Sequence, residues 1–167
     1  MWMRRLFHLT TALLVLAAVA VGYRRFHRTP EQIELQQYIE FDVPRLSETE
    51  APIRSGIAAL LRAPGLPIAD ARRLLVDQLM PRLLLLRKTA DVAFAQTNEV
   101  RLLKQEYVAI IDRLIETCRR CIRFIDDPKP NGAAQFLQFQ KELRDITQAF
   151  TDWSLHVKSA CHRHHLD

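Results

Sequence analysis

The chain has 167 residues, 49% of them apolar and 26% charged, with 4 Gly, 8 Pro and 3 Cys, which is the size of one small domain plus an appendage. Residues 1–30 carry Arg4, Arg5, Arg24, Arg25 and Arg28 and no acid, so downstream the remaining Lys and Arg match the 19 Asp+Glu one for one. A folded part without a basic excess argues against a nucleic-acid footprint, and four widely separated glycines leave no phosphate-cradling loop.

Residues 6–23, Leu6 to Tyr23, hold no formal charge and would span roughly 27 Å as a helix, enough for a bilayer core. We read residues 1–28 as a single-pass signal-anchor, a transmembrane helix with Arg4 and Arg5 before it and Arg24, Arg25 and Arg28 after it. Its partner is then the lipid bilayer. The alternative is a cleaved signal peptide, since Ala18-Val19-Ala20 fits the small-x-small pattern and would yield a secreted protein. The basic flanks nearly tie, so the side is open: a bacterial inner membrane with an extracytoplasmic domain is the leading expectation, a cytosol-facing membrane the other.

From residue 31 onward the apolar spacing is that of helices, and strand alternation is missing, so the predicted fold class is all-α. Residues 29–46 read as a juxtamembrane stalk or short helix, with Ile33, Tyr38 and Phe41 as docking points. Ser47-Glu48-Thr49-Glu50 reads as a capping box that opens a helix carrying Ile53, Ile57, Leu60 and Leu61. Another helix begins near Pro67, and Pro81 kinks or divides it.

The last two helices carry the strongest pattern. Val100, Leu103, Tyr107, Ile110, Leu114, Thr117, Cys121 and Phe124 are spaced alternately 3 and 4, with Thr117 the only break. After a turn at residues 126–132, Phe136, Phe139, Leu143, Ile146, Phe150, Trp153, Val157 and Ala160 repeat that spacing. The turn is too short for anything but an antiparallel hairpin, in which facing residues have numbers that add to about 260. A second stripe, Val108, Ile111, Ile115, Cys118, Ile122 and Ile125, demands a third partner, for which the segment from Leu74 to Leu86 is the candidate. The expectation is an antiparallel bundle of about four helices over residues 47–162, ending in a polar tail at 163–167.

Motifs for chemistry are sparse. Cys118-Arg119-Arg120-Cys121 has redox spacing, but both thiols fall late in a long helix on apolar stripes, where small core residues are the simpler account. Cys161, His162, His164 and His165 are metal-ligand types without the paired spacing of a structural zinc site. Asp152 and His156 are at i, i+4, suited to a surface hydrogen bond, and no Glu-x-x-His, HExxH or nucleophile elbow occurs. Arg113, Arg119, Arg120, Arg123 and Lys129 form the densest basic patch, a solvated structural surface or a docking patch for an acidic partner or anionic headgroups. The sequence thus points away from an enzyme and from a cofactor. It points toward a membrane-anchored interaction protein, a scaffold, adaptor or assembly subunit that binds a protein partner or itself through helix faces. The alternatives are a bundle that senses a small ligand or haem, and a secreted helical protein.

Overall fold

The computed structural model describes residues 28–62, 67–127 and 132–166. Among the described residues every regular element is helical, as the 3.6-residue spacing predicts. The helices are α1 (Pro30–Gln37), α2 (Val43–Arg62), α3 (Ile68–Arg73), α4 (Met80–Val92), α5 (Asn98–Asp126) and α6 (Gly132–Arg163). The expected membrane segment, residues 6–23, lies outside the described residues, and none of the described helices is long and apolar enough to cross a membrane.

Six helices make only four rods. One π-helical turn, Tyr38–Asp42, joins α1 to α2, and another, Leu74–Leu79, joins α3 to α4. In the first, the Val43 amide donates to the Tyr38 carbonyl, and in the second the Met80 amide donates to the Leu75 carbonyl. A proline stands two residues after the end of each turn, Pro44 and Pro81. A proline ring lacks the amide hydrogen and collides with the carbonyl four residues back; widening the preceding turn by one residue relieves the clash without breaking the rod. Pro81 therefore neither ends nor divides its helix.

The first rod starts earlier than the sequence suggested. Thr29 is its N-cap, in a capping box with Gln32 in which each side chain bonds the other's backbone, and Pro30 occupies the first turn. Ser47 is an exposed interior residue of α2, so the box expected there does not open a helix. Nor do residues 30–42 stand apart as a stalk: Leu35 and Tyr38 are buried in the common core. Of the three expected docking points, Ile33 and Phe41 are exposed and Tyr38 is not.

The rods run up, down, up and down. The α5/α6 hairpin has the predicted register: Trp153 Nε1 donates to the Leu103 carbonyl at 2.9 Å, His156 lies beside Glu106, and Arg163 pairs with Glu99. Along both seams the apolar positions are buried, apart from the partly covered Phe124 and Phe136 near the turn. The second stripe of α5 meets Leu75, Leu79, Leu83 and Leu86 of the second rod, clamped by Arg72 on Asp126 and Arg87 on Asp112, each 2.6 Å apart. The first two rods approach so closely at Gly56 that a Cβ there would sit 2.6 Å from the Leu79 side chain. Glycine in mid-helix costs backbone entropy, and here it provides that clearance.

Candidate functional site

Three places concentrate polar chemistry. The first is inside the core. Glu50, 4% exposed, sits in phase with Leu46 and Ile53 on the buried stripe of α2, so its carboxylate is carried into apolar surroundings. It is compensated there: Tyr107 donates its hydroxyl to Glu50 Oε2 at 2.7 Å, and Arg54, one turn on, pairs with Oε1. Tyr107 also stacks edge-on to Phe150 with ring centres 5.6 Å apart, and Arg54 lies over the Phe150 ring at 5.7 Å. Burial, reinforced by the Glu50 charge, pushes the Tyr107 hydroxyl above its ordinary range. A neutral tyrosine donating to a carboxylate is a structural tie across the bundle's diagonal. Nothing in the sequence singled it out.

The second place is the end of the bundle at which the described chain starts. Glu34 accepts hydrogen bonds from the Thr97 amide at 2.7 Å and from the Gln96 amide, which ties α1 to the connection between α4 and α5. Lys104 donates to the carbonyls of Asp91 at 2.6 Å and Ala93 at 2.8 Å, closing the other side of that connection. Gln32 donates to the His164 carbonyl at 3.1 Å, so the C-terminal residues belong to the same end. They are capped in order: Leu166 and His165 donate backwards to the carbonyls of Cys161 and His162, with His165 at φ 54°. This is a Schellman arrangement with a left-handed residue at its centre, so residues 163–166 form a cap and not a loose tail. Glycine takes that conformation without strain. His165→Gly is expected to raise stability by about 0.5–1 kcal/mol, read as a higher urea midpoint at unchanged slope.

The third place is an open groove of about 480 Å³ on the outer face of the α5/α6 hairpin. Its floor is apolar, made by Ala109, Ile110, Ile146, Ala149 and Leu155. Glu106, Arg113, Asp152 and His156 line the rim. His156 Nδ1 lies 2.8 Å from Glu106, while Asp152 accepts from Gln148 at 2.8 Å. The expected Asp152–His156 bond is thus replaced by two others, because the facing helix offers His156 a carboxylate at the right register.

The remaining sequence candidates fall as follows. Cys118 and Cys121 are free, unbridged and buried, and burial pushes both thiols up to about 12, away from the thiolate that redox chemistry needs. Cys161, His162, His164 and His165 lie at the opposite end of the hairpin from that pair, and among the described residues no group of three His, Cys, Asp or Glu could hold a metal ion. In the basic patch, Arg120 pairs with Glu142 and Arg123 with Glu116 at 2.9 Å; Arg113 belongs to the groove rim, Arg119 is exposed, and Lys129 lies outside the described residues. Asp126, close to the patch in sequence, is engaged by Arg72 of the second rod, which lowers its carboxyl below the usual range. Arg28 starts the described chain, and Arg4, Arg5, Arg24 and Arg25 lie outside the described residues.

Comparison with models of protein families, with curated proteins and with solved structures finds no match. The class of protein that these residues define is the helical bundle itself, with its open hairpin face.

Proposed function

We propose that the protein is a single-pass, membrane-anchored helical bundle that acts by binding a protein partner, as a scaffold, adaptor or assembly subunit. The observation that carries the binding half is the hairpin groove. A shallow apolar floor between two charged rims matches the stripe of an amphipathic helix flanked by polar residues. Leu155, 55% exposed on that face, is a natural anchor for such a contact. The membrane half rests on the uncharged run from Leu6 to Tyr23 and its arginine flanks.

Two measurements test the two halves separately. Full-length protein in cells should stay in the membrane pellet after carbonate extraction with its intact mass, whereas a soluble product shortened by about 20 residues would replace the anchor with a cleaved leader. A photo-crosslinking residue at Leu155 should give one discrete protein adduct, lost when Ala109→Glu places a charge on the exposed part of the groove. No adduct, or one indifferent to Ala109→Glu, would remove the groove from the function.

A further inference from the structure

We infer that the bundle end formed by the α4–α5 connection, the start of α1 and the α6 cap rests on an anionic lipid surface. The inference builds on the membrane anchor of the preceding section and names the contact that the anchor brings about. The basic patch of Arg113, Arg119, Arg120, Arg123 and Lys129 reads from the sequence as a solvated structural surface or, as the alternative, a docking patch for an acidic partner or anionic headgroups; its densest part is Arg119, Arg120 and Arg123. That part occupies the last turns of α5, whose 29 residues extend about 43 Å. The first turn of α5, at the other extreme, is where α1 begins: Glu34 holds the amides of Gln96 and Thr97 there. A segment that ends in the bilayer just before Pro30 therefore brings this end to the headgroups and directs the basic patch away from them.

The end is also built for such a surface. Phe94 is 61% exposed and Val92 63%, although the backbone around them is pinned from both sides by Glu34 and Lys104. Ala93, between them, is buried, so the connection turns its small side chain inward and its two large apolar ones outward. Ile33, 46% exposed, lies at the same end. Exposed apolar side chains on a rigid loop are stabilised by insertion into the boundary between headgroups and acyl chains. The charges agree. Arg28 directly precedes the N-cap Thr29, and Arg25 and Arg24 stand four and five residues before it in the sequence. On the bundle the acids nearby are Glu31, the buried Glu34, held by the Gln96 and Thr97 amides, Glu99, paired with Arg163, and Asp91, paired with Arg87. A run of arginines entering the bundle at the end that carries an exposed aromatic favours anionic headgroups over neutral ones.

The test places a reporter at the tip. Full-length protein carrying Trp2→Phe and Phe94→Trp is reconstituted in vesicles of phosphatidylcholine with and without phosphatidylglycerol, using brominated acyl chains as quenchers, and the emission of the Trp2→Phe parent, which comes from the buried Trp153 alone, is subtracted. Insertion of about 5–10 Å should lower emission at position 94 at least about twofold in the anionic vesicles and less in the neutral ones. Leu137→Trp, exposed near the far end, serves as the control and should keep its emission. Protein that sediments with the vesicles but shows no quenching at 94 would overturn the docking and leave the anchor standing. Equal quenching in both lipids would overturn the anionic preference, and protein that fails to sediment would overturn docking and anchor together.

Discussion

Phe150→Ala is expected to remove about 3–5 kcal/mol of folding stability, a large share of the roughly 5–15 kcal/mol that a domain possesses. Phe150 is 2% exposed at the centre of the hairpin seam, against Tyr107 on one side and beneath Arg54 on the other. Truncation leaves a void that three rods border. Rods crossing a close-packed core relax only in part, so the cavity adds to the lost transfer energy. The Arg54 guanidinium loses its ring as well, which loosens its hold on Glu50. Urea titration of full-length protein in detergent checks this. A loss below about 1.5 kcal/mol, the range for volume-conserving swaps, would mean that the seam is not packed as described.

Stability is expected to fall steeply above about pH 9. Tyr38, Tyr107, Cys118 and Cys121 are all buried, and burial raises each of them above its ordinary value of 10.0 or 9.0. Below about pH 9 both the folded and the unfolded chain keep these protons, so their contribution is fully present. Above it the unfolded chain releases protons that the folded chain retains, and stability is lost as pH climbs toward the folded values. Each group costs about 1.4 kcal/mol per pH unit in that window, so with all four engaged the slope reaches about 5–6 kcal/mol per unit. Unfolding should therefore occur near pH 11 without denaturant. The double substitution Cys118→Ala and Cys121→Ala should be less stable at pH 7 yet show about half that slope. A urea midpoint constant to pH 10.5 would sink the account, as would a double variant with an unaltered slope.

The hairpin was readable because its pattern is long and uninterrupted: fifteen of sixteen seam residues are apolar, and register follows from turn length alone. Thr117, the sixteenth, is buried, donates to Glu142 and accepts from Arg120, so the break in the pattern marks a polar tie. Glu50 is the same kind of break in the stripe of Leu46, Ile53, Ile57 and Leu60. It went unseen because Ser47 and Glu50 also satisfy a capping motif that helix interiors can contain by chance. The true cap was present in Thr29-Pro30-Glu31-Gln32, a motif complete with its proline. The π turns left a subtler trace. Ala71, Leu75, Leu79 and Leu83 recur every fourth residue, slower than an α-helix, which only a widened turn keeps on one face. The groove could not be read, because its floor is made of alanines and seam edges that become a surface only once two helices are set side by side.

Gln32 and His164 touch, and so the beginning and the end of the described chain share one face. For anyone placing a reporter on this protein, the last described residues therefore stand beside the start of the first helix, at the end of the bundle that the preceding residues enter. A fluorescent domain or affinity tag added after Asp167 would be crowded against whatever the first residues enter, and shielding of that tag from protease would report the crowding as readily as the compartment. An epitope inserted between Asp127 and Gly132, at the other end of a hairpin some 40 Å long, would stand clear and report topology without that ambiguity.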